Sequence, residues 1–374
     1  MTTNTLVASF TAIVLVYGAL LLLSALPALR GQPWPRVRLA PVWVWVVLFV
    51  IVISLGQLVL STRFAAPYLF PPWHVLAAGL VPLAVLAYAS KRLPGASLPS
   101  LVAEISWGGL GTIFTAVVFE LIVGILFLLL GSIAIALVLG PDRLQELALR
   151  LQPVLEGSTD PSSLIDIVSG QPGLVLVALL LILLFFSGAV PLIEELLKGL
   201  GPAIAIGRAR PTASRALLWG LAAGAGYAFS ENLLNGSQGA SVQTGTGSVL
   251  WAPLIALRAG TSLVHMAATA TVTMGWWNAL VRGRRSLLVV FLMAAVAAHG
   301  FWNLVALIMG SALGTTQLGG GGGSGPGLLI LVSATAVLLL LLLAAAAWLV
   351  WLVRLAARQD HRDAGSPGDT RTEG

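Results

Sequence analysis

Runs of apolar residues long enough to cross a bilayer recur along nearly the whole of this chain. Leu174–Phe186 alone reads LVLVALLLILLFF, with no polar side chain. A membrane-spanning helix needs about 20 such residues. Nine segments follow this pattern: Leu6–Leu26, Val42–Leu60, Val75–Ala89, Trp107–Leu139, Leu174–Leu200, Ala213–Leu234, Leu254–Leu280, Leu287–Ile308 and Leu328–Val353. Lipid offers the backbone no hydrogen-bond partner, so each segment must pair its own amides as a helix. The expected fold is therefore an all-α polytopic membrane protein with about nine transmembrane helices. The 58% hydrophobic and 9% charged content of the 374 residues excludes a soluble globular domain. The fourth segment is too long for one straight crossing and reads as tilted, or as starting with an interfacial stretch.

The chain has no cysteine, which removes disulfides and thiolate metal sites. A net charge of +6 would suit nucleic acid if it were gathered on one surface. It is scattered over short connections instead, so it reads as a topology signal and no nucleic-acid partner is expected. One set of connections carries Arg30, Arg36, Arg38, Lys91, Arg92, Arg208, Arg210, Arg215, Arg282, Arg284, Arg285 and the tail's arginines; the alternate set carries only Arg63, Arg143 and Arg150. That asymmetry places the N-terminus outside and the C-terminus inside, as an odd number of spans requires. The opening MTTNTLVASF lacks a basic stretch, so the first helix reads as retained rather than cleaved. The expected location is the plasma membrane, multi-pass.

The chain divides into helices 1–4 (residues 1–140), a polar extracytoplasmic connection with a short surface helix (141–172), a four-helix core (173–311), a Gly-rich linker (312–327), a loosely tied ninth helix (328–353) and a disordered cytoplasmic tail (354–374). No internal repeat is evident.

The polar residues inside the apolar segments carry the functional signal. Burying a charge at a helix centre costs about 2.5–3.5 kcal/mol, and such residues usually face a partner or a cavity. VPLIEELLKGLGP (Val190–Pro202) places Glu194 and Glu195 four and three residues before Lys198, on one helix face. Pro191, after Gly188, should kink this helix, and Gly201–Pro202 could break it. An interfacial Glu–Lys pair would look the same. In the sixth segment Tyr227 and Glu231 share a face, Asn232 follows, and Gly220, Gly224 and Gly226 permit close helix contact. Polar residues at a helix end are the plainer account of Glu231 and Asn232. Arg258 and His265 are roughly aligned on the seventh segment, and His299 and Asn303 on the eighth. A lone buried histidine is more often a packed residue than a ligand. The fourth segment adds Glu120, which fits no motif and could pair with Arg258 or line the same cavity.

Depth makes the group harder to dismiss. Measured from the nearest inner basic residue at 1.5 Å per residue, Glu194, Glu231, His265 and His299 all lie ~21–26 Å deep, in one layer outside the midplane. Carboxylates and imidazoles in a dry cavity can activate water: one carboxylate acts as base while a neighbour stays protonated, and a histidine moves protons. The pattern lacks H-E-x-x-H and any Ser–His or Asp–Asp arrangement at these positions, but a zinc site from Glu and His on separate helices remains open.

The motifs EELLK, GYAFSEN, LVH and HGFWN, in this order on successive helices, resemble the PrsW family of intramembrane proteases, grouped with CAAX-prenyl and bacteriocin-processing membrane proteases. The resemblance spans Pro191–Val305 and leaves out helices 1–4 and 9. Glu194, Glu195 and Lys198 match the first motif; Phe229, Glu231 and Asn232 the second; Arg258 and His265 the third; His299 and Asn303 the fourth. The prenyl-protease relatives carry His in the second motif, where this chain has Glu231–Asn232. The resemblance implies cleavage of single-pass membrane substrates such as anti-sigma factors on their extracytoplasmic side. On that basis Glu194 is expected as general base, Glu195 as partner carboxylate and Lys198 as their tuning cation. His265 and Glu231 would complete the water or metal site, and His299 and Asn303 would hold the oxyanion. No cofactor is established; a divalent metal such as zinc would take Glu231, His265 and His299. The rival readings are a proton-coupled transporter or channel, which would use the same buried layer, and a catalytically silent scaffold.

Overall fold

The structure, a computed structural model, describes residues 3–31, 39–62, 66–156, 172–241, 251–318 and 325–364. Among these residues every regular element is a helix: α1 (Thr3–Leu29), α2 (Val42–Ser61), α3 (Ala66–Ser90), α4 (Leu98–Ser106), α5 (Ile113–Leu155), α6 (Pro172–Leu184), α7 (Val190–Ala209), α8 (Ala213–Ser241), α9 (Trp251–Leu280), α10 (Arg285–Leu318) and α11 (Gly325–Ala364). Wider π-helical turns, Trp107–Thr112 and Phe185–Ala189, join α4 to α5 and α6 to α7.

Seven helical stretches among the described residues are long and apolar enough to cross a membrane: Val7–Pro27, Val42–Ser61, Tyr68–Ser90, Leu98–Arg143, Gly173–Ala209, Arg285–Gly310 and Val332–Ala364. The expected sixth and seventh spans are helices, α8 and α9, but are not apolar enough to join this set. Their environment explains it. Both pack mainly against other helices, α8 against α9, α3 and α4. A face that meets protein need not be oily, so α9 buries Thr261, Ser262, Thr269, Thr271 and Thr273. Small residues bring these two helices together: a Cβ on Gly224 would sit 2.8 Å from the Met266 Cα. The main core gathers here, with Leu217, Leu221, Met266 and Trp277 at its centre.

The long fourth segment resolves into α4, the first π-helical turn and α5. Gly140 breaks α5 at φ 74°, a conformation glycine adopts without steric cost, and helix resumes at Pro141. The surface helix expected in 141–172 thus runs to Leu155; residues 157–171 lie outside the described ones. Pro191 acts through the second π-helical turn. Proline has no N–H, so the preceding turn loses a hydrogen bond and widens. The Asn303 side-chain amide donates to the Phe186 carbonyl in that turn at 3.1 Å. Gly201–Pro202 does not break the helix: α7 continues to Ala209 and stops at Arg210 in the left-handed region.

The C-terminal boundaries also differ from expectation. Helix α10 runs on to Leu318 and α11 starts at Gly325, so the Gly-rich connection is shorter than residues 312–327. The tail expected to be disordered from residue 354 is helical through Ala364. It is anchored rather than loose. The Asp360 carboxylate accepts the Ala213 and Ser214 backbone N–H groups at 2.9 and 3.3 Å, capping α8 from another helix. The Arg282 guanidinium contacts both Asp363 oxygens at 2.6 Å.

Candidate active site

Helices α7 to α10 bring seven ionisable side chains into mutual contact. The three- and four-residue spacing on α7 puts Glu194, Glu195 and Lys198 on one buried face; Glu195 and Lys198 are 0% exposed and Glu194 5%. The Lys198 ammonium donates to Glu195 Oε1 at 2.5 Å and to Glu194 Oε2 at 3.4 Å. Its third contact is His265 Nδ1 at 3.1 Å, and the Tyr227 ring lies 4.4 Å away. Lysine can only donate, so His265 Nδ1 accepts and the ring proton lies on Nε2. That nitrogen meets Glu231 Oε2 at 2.5 Å. Arg258 Nη2 pairs with the same oxygen at 2.6 Å. Asn232 Oδ1 accepts from Arg258 Nε at 3.1 Å, and its amide donates to Ser262 at 2.9 Å.

Glu195 is held from three sides. Besides Lys198, His299 Nδ1 lies 2.9 Å from Oε1, and the Thr269 hydroxyl donates to Oε2 at 3.2 Å. A carboxylate accepts, so His299 carries its proton on Nδ1 and keeps the Nε2 lone pair free. Nε2 faces Glu194 Oε2 at 3.8 Å, and His265 Nδ1 lies 3.9 Å from the same oxygen. These gaps are too long for direct hydrogen bonds; with His265 Nδ1 taken by Lys198, a water between them would donate to Glu194 Oε2 and His299 Nε2. The two imidazoles pack edge to face, with centroids 4.6 Å apart.

The four residues expected at one depth, Glu194, Glu231, His265 and His299, thus lie side by side. The structure gives them different surroundings. Glu194, Glu195, His265 and His299 each offer a ligand atom, all within 4.8 Å of one another. Of the three metal ligands expected from sequence, His265 and His299 are in this group. Glu231 is not: it lies across the His265 ring and holds Nε2 from behind. Asn232 supports Arg258. Asn303 is half-buried and turned to Phe186. Thr269 and Tyr227 join the site without having been singled out as site residues. Thr269 sits four residues after His265, on the same helix face, and that spacing was the available signal.

Residues 164–351, half of the chain, match the family described as PrsW family intramembrane metalloprotease. The chain belongs to the PrsW family. It is a multi-pass membrane protein and an intramembrane protease, and its substrate is accordingly a membrane protein met in lipid. The match reaches further than the motifs read from sequence: it takes in α6 and most of α11. No curated protein and no solved structure matches the chain.

A PrsW metalloprotease implies a metal, and the residues fit one. Two carboxylates and two imidazoles, all buried, are a donor set that zinc uses. Charge agrees. Three carboxyl groups, Glu194, Glu195 and Glu231, meet two basic side chains, Lys198 and Arg258, so the buried site holds one more acidic group than basic ones. Lys198 lies against three of the same side chains, so its ammonium and a metal would compete for Glu194, Glu195 and His265.

Proposed function

We propose that the protein hydrolyses a peptide bond of a membrane-anchored, single-pass substrate, with Glu194 as the general base. The observation that carries this reading is the convergence of Glu194 Oε2, His265 Nδ1 and His299 Nε2 at 3.8–3.9 Å within a water-poor group. A water held there loses a proton to Glu194 as its oxygen bonds to the substrate carbonyl carbon. The C–N bond then breaks, and the leaving amine takes up the proton, from Glu194 or through His299 Nε2. Lys198, His299 and Thr269 keep Glu195 an oriented anion beside the base. Glu231, with Arg258 and Asn232 behind it, fixes the ring and tautomer of His265, as second partners of catalytic histidines do. Glu194, Glu195, His265 and His299 would hold a divalent metal, which when bound would polarise the carbonyl and make water more acidic. Asn303 gives an amide N–H to Phe186, and the three Lys198 N–H groups are taken by Glu194, Glu195 and His265, so the oxyanion role falls to His299 once its Nε2 has taken up the proton.

The finer reading keeps nine spans, with α8 and α9 crossing inside a ring of the other seven, the N-terminus outside and the C-terminus inside, in the plasma membrane. That topology puts the site in the outer half of the bilayer. It suits an anti-sigma-factor-like substrate clipped on its extracytoplasmic side, as the family resemblance implies. A proton-coupled transporter would use a similar buried layer, but the family match favours the protease. The test is Glu194→Gln in liposomes containing single-span substrates. Cleavage should be lost while the thermal unfolding profile stays that of the wild type; cleavage at the wild-type rate would refute Glu194 as the base.

A further inference from the structure

Helix α5 packs along one seam against the catalytic helices. Ile113 and Ala116 meet Tyr227. A Cβ on Gly124 would sit 3.5 Å from the Phe185 ring, and Phe127 meets that ring edge to face at 5.4 Å. The opposite face of the helix, with Val117, Val118, Leu121 and Ile122, is exposed for lipid. Glu120 stands on the seam, four residues from both Ala116 and Gly124, where an apolar residue would be expected. Its Oε1 is fully buried and has no hydrogen-bond partner. The carboxylate is within electrostatic reach of Glu194, Glu231 and Lys198. The residue as a whole is half-buried, so it reaches from the catalytic group to the protein surface. It also precedes the matched region, which starts at residue 164.

A buried carboxylate oxygen without a partner is costly to keep. Glu195 and Glu231 are fully engaged, but Glu120 has an acceptor to spare beside the base. A substrate helix must unwind before its peptide bond can be attacked. Unwinding frees backbone N–H groups where no water can take them, at several kcal/mol each. We propose that Glu120 is a substrate-binding residue: it accepts backbone N–H groups of the unwound substrate segment, on a path between α5 and α7 that leads from lipid to Glu194. This rests on the protease reading.

The probe is a single-span peptide already shown to be cleaved by wild-type protein in liposomes and spared by Glu194→Gln, so a failure of the protease reading appears before Glu120 is compared. Glu120→Leu should lower kcat/KM ~10–100-fold, chiefly through KM, and Glu120→Gln, which keeps an acceptor, should recover most of it. Replacing one substrate N–H by an ester oxygen near the scissile bond should cost the wild type as much, yet cost Glu120→Leu nothing further. Unchanged kcat/KM in Glu120→Leu, or ester losses that multiply with it at every position, overturns the proposal. So does a Glu120→Leu protein that fails to fold, because an oxygen without a partner contributes no structural bond.

Discussion

Lys198→Met gives the sharpest test of the charge arrangement. The change keeps most of the side-chain volume and removes the ammonium. Lys198 donates to Glu195 at 2.5 Å and Glu194 at 3.4 Å, and neither Lys198 nor Glu195 is exposed to solvent. At an effective dielectric of 20, charges 4 Å apart attract by about 4 kcal/mol. Removing one partner of a buried pair typically destabilises by about 3–5 kcal/mol, because the other charge remains buried. His299 and Thr269 still hold Glu195 in the variant, so the expected loss lies near the lower end, about 3 kcal/mol. Lys198→Met with Glu195→Gln removes both charges and should recover at least half of that loss. Stability would be read from reversible unfolding in detergent for wild type, both single variants and the double variant. The reasoning fails if Lys198→Met matches wild type to within about 0.5 kcal/mol, or if the two changes simply add.

Asn303→Leu should destabilise by about 1–3 kcal/mol, by leaving the Phe186 carbonyl unpaired, with cleavage reduced less than tenfold; a loss of kcat by about 100-fold at unchanged stability would return the oxyanion role to Asn303. Asp360→Ala should cost about 0.5–2 kcal/mol of stability through the lost cap on α8, with KM unchanged, as measured by thermal unfolding and peptide cleavage. Elemental analysis of protein purified with zinc should find about one metal per chain, retained in Glu231→Gln and lost in the His265→Ala, His299→Ala double variant; loss in Glu231→Gln would make that residue a ligand after all.

Helices were the most legible part of this chain, because length and apolarity alone demand them in lipid. The site was legible too. Glu194, Glu231, His265 and His299 lie at similar depth from their basic anchors, and residues at one depth on neighbouring helices can meet. Depth does not say which side of a ring a neighbour occupies. That is why Glu231 could be read as a ligand when it holds His265 from behind. The contact of Asn303 with Phe186 was illegible for a related reason. The partner is a carbonyl freed by Pro191 on another helix, and only the packing of α10 on the π-helical turn brings them together. The tail's composition gave no warning that Asp360 caps α8, since a cap supplied from 147 residues away leaves no local pattern.

The two least apolar helices explain why the site can exist. An intramembrane protease needs charged groups and a route for water at a depth where lipid tolerates neither. Helix α9 answers this by giving up its own claim to face lipid. It carries Arg258, His265 and Thr269, with buried threonines along its length, and is too polar to count as a span by composition. Such a helix is stable in a bilayer only if other helices enclose it. The apolar surfaces of α2, α5 and α6 then face lipid on its behalf, with exposed residues such as Val47, Leu128 and Leu179. The glycine-lined contact with α8 brings the backbones close enough for Glu231 to reach His265 directly. Polar composition, enclosure and short backbone distance are thus one requirement. A bulky residue at Gly224 would disturb all three, displacing α9 and parting Glu231 from His265 even though it touches neither side chain.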